Sequence, residues 1–393
     1  MKMKALLITA EKDPRPGYVF DEYEKEYGIA RDGTQVWRNA KHQITEVDVP
    51  KLQPDEVLIK VKSCGICGSD VHSYTKDEDG YIKFAWFTKY PNIPGHEFCG
   101  EIVEIGKNVK MRKVGEYVTA EEMHYCGTCD ACRTYHFNQC HNLKEPGSTI
   151  PGGLAEYVAI KEKFVWSIKD IISAYGKEIG FKVGALVEPT AISYHGTIIK
   201  SGGIKPGQYG AVNGTGPIGL GCIALMKQAG MSKIFAFEVN EKRAAMAKEF
   251  GATHVFNPIE LSKQRVTAAD VIMDVTDGWG CDLQMECAGR PHQLFPIMDQ
   301  AVAFGGRIVN IAHSPQNKDI PVNMAIHMFR GSSVAGSNGS GGDSLFRNSI
   351  NTIASKNIDY YKLITGEYDL DHALDAIEET KNGAAGKVIV NMD

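Results

Sequence analysis

The stretch KSCGICGSDVHSY, residues 62–74, sets Cys64 and Cys67 two residues apart and follows them with Ser69, Asp70 and His72. Cys-x-x-Cys alone fits a zinc knuckle and a thiol–disulfide pair equally well. A second run, CGTCDACRTYHFNQC, spaces Cys126, Cys129, Cys132 and Cys140 by two, two and seven residues. Four thiolates in one short loop suit a closed tetrahedral zinc site. Gly127 eases the tight turn between the first two. An iron–sulfur cluster is the rival, because soft thiolates take either metal. Four unrelated core cysteines is the plainer alternative, but the loop is polar and offers little core to hide them in. The loop completes a ligand set without Cys64 or Cys67.

The first cysteines therefore need other partners. NIPGHEFCGEI supplies His96 and Glu97, and LVEPTAISYHG supplies Glu188 just before Pro189, where a helix can begin. A cysteine, a histidine and a carboxylate make a catalytic zinc set that leaves one position for water or substrate. Cys67 is the expected ligand. Cys64 follows the alternating segment EVLIKVK and is expected to pack as a small apolar residue. Alone, His96 is more simply a satisfied structural histidine; Cys67 and the four-cysteine loop favour the metal reading.

A third pattern lies in QYGAVNGTGPIGLGCIALMKQAG. A short apolar strand turns at Gly214 and Gly216, Pro217 and Ile218 follow, and Gly219 completes G-x-G-x-x-G before a helical run. Between strand and helix this pattern is a dinucleotide fingerprint: the turn brings backbone N–H groups and a helix N-terminus to a pyrophosphate. Glu238 closes the next strand, KIFAFEVN, where an acidic side chain accepts ribose hydroxyls and repels a 2′-phosphate. NAD is favoured over NADP, although Arg243 and Lys242 stand nearby. A glycine-rich turn that serves another nucleotide, or none, is the plainer alternative.

These residues must be positioned by two kinds of scaffold. After residue 190, apolar strands (HVFN, CDLQMECAG, GRIVNIA, SSVAGS) alternate with helical stretches such as NEKRAAMAKEFGA, which predicts a doubly wound parallel α/β sheet. Before it, EVLIKVK, EIVEIG, GEYVTA and EYVAI are short strands between Gly, Pro and charged turns, which predicts a β-rich domain. At 393 residues the chain is too long for one core. The expected division is residues 1–191 with 341–393 as one domain, its C-terminal strand KVIVNMD returning to it, and 192–340 as the other. A net charge of −5 with interleaved signs gives no electrostatic support for nucleic-acid binding. The apolar run in MKMKALLITAEKD is too short for a signal peptide. The uncharged stretch from Tyr209 to Met226 is glycine-dense and carries Pro217, so no membrane span is expected. Ten cysteines without a secretion signal suit a reducing compartment, taken as the cytoplasm.

The order GICGSDVH, GHE, four-cysteine loop, EP and G-x-G-x-x-G resembles the zinc-dependent medium-chain dehydrogenases over nearly the whole chain. GHE with EP resembles their polyol and threonine dehydrogenase branch. TQVWRNAKHQITEVDVP, DEDGYIKF, AEEMHYCGTC and LVEPTAISYHG more narrowly resemble the scyllo-inosose 3-dehydrogenases of inositol catabolism. The resemblance implies a GroES-like catalytic domain carrying a structural zinc lobe, a Rossmann domain binding NAD, and one catalytic and one structural zinc ion per chain. It matches Cys67, His96 and Glu97 to the catalytic zinc ligands and Glu188 to an exchangeable ligand or water-holding carboxylate. Cys126, Cys129, Cys132 and Cys140 match the structural ligands, and Ser69 and His72 match a proton relay. It also implies a homo-oligomer, dimer or tetramer. A long polar insertion around residues 11–40 departs from the common pattern.

The expected reaction is hydride transfer between NAD and a secondary alcohol of a cyclic polyol, scyllo-inosose or a related cyclitol or amino-cyclitol. Threonine or an acyclic polyol such as sorbitol is the alternative substrate, and a catalytically silent nucleotide-binding relative is the alternative of another class. Tyr81, Phe84, Trp86, Phe87 and Tyr90 are expected either to pack on a sugar-like ring or to serve as core or subunit contact. Glu121 and Glu122 either hold substrate hydroxyls or are solvated.

Overall fold

The computed structural model describes residues 1–313, 318–342 and 344–392. The chain divides into two compact units, Met1–Glu188 together with the segment from Ser340 onward, and Pro189–Gly339. Among the described residues no helix is long and apolar enough to cross a membrane.

The first unit is built on a sheet whose strands run in the order Ile364–Asp369, Lys387–Asn391, Glu56–Gly65, Glu97–Ile105, Tyr117–Ala120 and Val165–Ser167, with Tyr157–Lys161 also paired to Glu56–Gly65. Glu56–Gly65 is central, so its burial is nearly continuous rather than alternating. Val57, Ile59, Val61 and Cys64 join Phe98, Ile102, Phe164 and Val390 in its core. The C-terminal strand returns here, with Val390 opposite Cys64 and Ile389 opposite Gly65. That register sets Lys387, the first residue of its strand, past the Gly65 end of the partner strand, where Ile66 N donates to Val388 O at 2.9 Å.

A second, smaller sheet pairs Lys2–Lys12 with Trp37–Asp48 antiparallel. Between them lies the helix Glu22–Tyr27, opened by a capping box of Asp21 and Glu24 and closed by Gly28 at φ +64°. The insertion is polar in composition, yet it carries its own core. Ala30, Val36 and Trp37 pack with Ile82, Phe84 and Tyr90. Backbone bonds of 2.8 Å in both directions between Ala30 and Thr88 fasten it to the following segment.

The second unit is a six-stranded parallel sheet, ordered His254–Phe256, Lys233–Phe237, Tyr209–Asn213, Cys281–Glu286, Val302–Asn310 and Ser333–Gly336. In chain order this is 3-2-1-4-5-6, the doubly wound arrangement that places ligands at the carboxyl ends of the central strands. The central strands are buried on both faces, which their continuous apolar runs require.

Candidate active site

Cys67, His96 and Glu97 each present one donor atom, and these three atoms lie within 4.8 Å of one another. Cys67 precedes the short helix Gly68–Tyr74, and Glu97 opens the strand that follows His96. Asp70 ties the two loops together: its carboxylate accepts from Cys67 N at 2.9 Å and from Gly95 N at 3.3 Å. These bonds make Asp70 a residue that orients the two loops. Cys64 is fully buried. A Cβ on Gly95, at φ +93°, would fall 2.7 Å from the Cys64 sulfur. Cys64 is therefore the packing partner of the ligand loop, as its position after an alternating strand implied.

The donor set fits a cation. Glu97 Oε2 is buried with no hydrogen-bond partner, and so is Ser69 Oγ, two residues beyond Cys67. Cys67, Glu188 and Asp70 surround His96 and raise its affinity for a proton against the effect of burial. Burial pushes the Glu188 carboxyl well above its ordinary range, with Glu122 and Glu97 adding to the effect. Such a density of buried acidic groups calls for positive charge. Glu188 lies in the helix Val187–Tyr194, which begins two residues before Pro189. It stands close enough to feel His96 and Glu97 but outside the three-donor group. Ser69 and His72 lie three residues apart on Gly68–Tyr74, hence on one face, with His72 exposed.

The second cysteine set is equally compact. The sulfur of Cys129 lies 3.5 Å from that of Cys132 and 3.8 Å from that of Cys140, and Cys126 lies 4.0 Å from Cys132. A disulfide would require about 2.0 Å, whereas four sulfurs at about 2.3 Å from one tetrahedral ion stand about 3.8 Å apart. The spacing has room for a single ion. Backbone N–H groups of Thr128 and Cys129 point at the Cys126 sulfur at 3.4 Å. Burial raises the Cys126 thiol, but these bonds and the Thr128 hydroxyl outweigh it and bring the thiol down to about 5. The loop does have a core after all, since Cys132 and Cys140 are buried with Met123 and Leu143.

Burial decides between alternatives that the sequence left open. Tyr81, Phe84 and Tyr90 are at most 9% exposed and belong to the core of the first unit. They are not free to pack on a ligand. Trp86 and Phe87 remain half-buried. Glu121 and Glu122 are not solvated: Glu121 accepts from Trp166 Nε1 at 2.7 Å, and both oxygens of Glu122 accept from Ser340 at 2.6 and 2.7 Å. Sequence reasoning missed Lys387, which donates to Glu97 Oε1 at 2.6 Å, and Glu145, which accepts from Trp86 Nε1 at 2.7 Å. No local pattern marks either, because each partner lies 59 or more residues away.

In the second unit the glycine turn has the shape its motif demands. Gly214 adopts φ +85°, and a Cβ there would press on Ala288 at 2.8 Å. A Cβ on Gly219 would fall 2.1 Å from Gly214 O, so the helix Pro217–Gln228 packs on the turn only because that residue is glycine. Over Gly216 the space is open, with Arg243 Nη1 nearest at 4.0 Å. Pro217 and Ile218 form the first turn of the helix. Glu238 lies beneath this turn. Its Oε2 accepts from Thr215 N at 2.8 Å and its Oε1 from Val239 N and Asn240 N at 2.8 and 2.9 Å. A half-buried glycine turn, open over Gly216 and backed by a buried carboxylate, fits a dinucleotide.

Comparison with known proteins agrees with this geometry. The model of the alcohol dehydrogenase GroES-like domain matches residues 53–170, and that of the zinc-binding dehydrogenases matches residues 217–355. A scyllo-inosose 3-dehydrogenase of Thermotoga maritima is 36% identical over 374 residues, 92% of this chain and 93% of that protein. An L-threonine 3-dehydrogenase of Caldanaerobacter subterraneus is 37% identical over 297 residues, 75% of this chain and 79% of that protein. A solved Thermotoga maritima structure, presumed to be an alcohol dehydrogenase, superposes with a TM-score of 0.93 at 34% identity, covering 99% of this chain and all of that one. With a likeness that runs through both units, the chain belongs to the zinc-binding alcohol dehydrogenase family.

Proposed function

We propose that the protein is an NAD-dependent dehydrogenase of a cyclic polyol, scyllo-inosose or a close cyclitol or amino-cyclitol. The observation that carries the reading is the convergence of Cys67, His96 and Glu97 within 4.8 Å beside the unpartnered Ser69 hydroxyl. The name of the Thermotoga relative supports the substrate class. Cys67, His96 and Glu97 would hold a catalytic zinc, with Glu188 as the exchangeable carboxylate beside them. Cys126, Cys129, Cys132 and Cys140 would hold a structural zinc. At the first position zinc supplies a Lewis acid that brings a hydroxyl's pKa toward neutrality. A nicotinamide dinucleotide on the glycine turn supplies the hydride acceptor.

The chain's own residues do the rest. Asp70 fixes the spacing of the loops that bear Cys67 and His96. Ser69 Oγ accepts the proton of the substrate hydroxyl as it passes its own toward His72, which, one helical turn on and exposed, releases a proton to water. Gly214, Gly216 and Gly219, with Pro217 and Ile218, receive the pyrophosphate. Glu238 takes the ribose and disfavours a 2′-phosphate, with Arg243 nearby as its counterweight. The first unit thus serves as the catalytic domain and the second as the nucleotide domain.

The second unit also offers a face for a second copy of the chain. Ser333–Gly336 is an edge strand, and Met324, Met328 and Phe329 on the preceding helix are 67–79% exposed. Exposed apolar patches beside an open edge mark interaction surfaces, so we expect a homo-oligomer.

The test is NADH absorbance with scyllo-inosose, inositols, amino-cyclitols, threonine, sorbitol and ethanol. A cyclitol should exceed the other classes by about tenfold or more in kcat/KM, a gap of roughly 1.4 kcal/mol. A preference for threonine or sorbitol would remove the substrate assignment and leave the metal and cofactor chemistry standing. No turnover of any alcohol would favour a silent nucleotide-binding protein.

A further inference from the structure

We infer that Glu145, held in place by Trp86, is a specificity-determining residue that accepts a hydrogen bond from a substrate hydroxyl other than the one oxidised. The inference rests on the polyol reading above and extends it to a named acceptor.

Glu145 is 7% exposed, yet only half of its carboxylate is used. Oε2 accepts from Trp86 Nε1 at 2.7 Å, and among the described residues no group donates to Oε1. Oε1 is also not sealed away, unlike the fully buried orphan oxygens of Glu97 and Glu121. A carboxylate oxygen that is open to the outside and has no protein donor is an acceptor with unused lone pairs. A fold that keeps one at a fixed place is paired with a donor that arrives from outside.

The place is fixed on three sides. Glu145 N donates to Thr149 Oγ1 at 2.7 Å, and Glu145 O accepts from Thr149 N at 2.9 Å and Ile150 N at 3.1 Å. The turn that follows lies against the residue before His96: a Cβ on Gly147 would come 2.8 Å from Gly95 N, and one on Gly152 would come 2.2 Å from Gly95 O. Glu145 is therefore positioned against the loop that carries His96, and His96 and Asp70 are among the charges that act on it. Trp86 is held in turn by the insertion. Gly33 N donates to Trp86 O at 3.2 Å, and Trp37 Nε1 donates to Thr88 O at 3.3 Å. The insertion of residues 11–40 thus acts as the brace of a substrate contact, with Trp86 as the positioning residue.

An acceptor beside the reacting carbon selects for a neighbouring donor. A polyol supplies a hydroxyl there, and a simple alcohol such as cyclohexanol supplies none. Sites built to bond an OH reject analogues that lack it by large factors. A vicinal ammonium, as in threonine, offers the same donor chemistry, so the test separates the two.

The experiment compares kcat and KM for scyllo-inosose or the best inositol, cyclohexanol and threonine in the wild type, Glu145→Gln and Trp86→Phe. Zinc content and melting temperature are measured alongside. Glu145→Gln should lower the cyclitol-to-cyclohexanol ratio of kcat/KM at least tenfold, chiefly through KM, with zinc per chain unchanged. Trp86→Phe, which keeps a ring but loses the indole N–H, should shift the ratio in the same direction by less. The inference is overturned if the wild-type ratio is high and Glu145→Gln preserves it, or if zinc is lost. It is also overturned if only threonine kinetics respond. A wild-type ratio near one overturns the polyol reading itself, an outcome distinct from a high ratio that the variant leaves intact.

Discussion

Lys387 Nζ lies 2.6 Å from Glu97 Oε1, and both side chains are at most 4% exposed. The strand register that returns the C-terminus to Glu56–Gly65 puts the lysine there, and Ile66 O takes a second of its protons at 3.1 Å. Glu97 therefore divides its two oxygens: one is neutralised by Lys387, and the other is buried without a hydrogen-bond partner. Gly65 makes room for that oxygen, since a Cβ there would meet it at 2.2 Å.

Removing the lysine should expose the value of this arrangement. Lys387→Met strands a buried carboxylate, and breaking one side of a buried ion pair costs about 3–5 kcal/mol. The expected result is a lower melting temperature and weaker metal retention in dialysis. The double variant Lys387→Met/Glu97→Gln should recover much of the stability but not the activity. If the single variant melts like the wild type, the pair is not structural.

The two metal sites should respond differently to chelation. The three-donor group keeps an open position and the four-cysteine loop is closed, so a chelator should abolish activity before it unfolds the protein. Cys67→Ser should lose activity with little change in melting temperature, whereas Cys126→Ser should lower stability, because three thiolates leave the loop incomplete. Metal analysis should return two zinc ions per chain. Iron, or a single zinc, would contradict the assignment.

The residues that chemistry groups by short spacing were legible before any fold was known. Cys126 to Cys140 span one loop, Gly214–Gly219 form one turn, and Cys67 and His96, 29 residues apart, each sit in a short motif of their own. What the sequence concealed is pairing over distance. Nothing near Lys387 announces Glu97, and nothing near Trp86 announces Glu145, because strand register and loop packing decide both. Burial within an aromatic run was hidden for the same reason. Phe84 and Tyr90 pack with Ile82, Val36 and Trp37, and the segment that covers them reads as polar by composition. The C-terminal strand was recognisable as a strand, but not as the carrier of a buried cation.

Glu238 offers a test of cofactor choice with a structural complication. Its carboxylate accepts protein N–H groups on both oxygens, so it shapes the glycine turn in addition to the ribose contact proposed for it. Glu238→Ala should weaken NAD binding by about 1.5–3 kcal/mol, the value of a charged hydrogen bond. It should also narrow the preference over NADP, read by titrating NADH and NADPH fluorescence. Glu238→Gln keeps one acceptor oxygen but sets an NH2 donor against backbone N–H groups on the other side, so it should recover only part of the NADH affinity that the alanine variant loses. A wild-type preference for NADPH would mean that Arg243 or Lys242 holds a phosphate and Glu238 serves the turn alone.

Glu121 supplies a pH dependence whose sign is fixed by burial. Desolvation pushes its carboxyl up to about 7 from an ordinary 4.5; the Trp166 indole opposes the shift and Glu122 adds to it. Oε2 is buried with no partner, so ionisation inside the fold is unfavourable. A carboxyl whose folded pKa is raised holds its proton more tightly folded than unfolded. Its contribution is therefore present below about 4.5 and is lost as the pH climbs through about 7. A shift of this size is worth on the order of 3 kcal/mol at 1.36 kcal/mol per unit. Glu121→Gln removes the charge and keeps an oxygen for Trp166 Nε1. Its melting temperature should therefore stay close to the wild type at pH 5 and exceed it by several degrees at pH 8. If the difference between the two proteins is the same at both pH values, Glu121 does not titrate in this range, and its carboxylate is stabilised by a group other than Trp166.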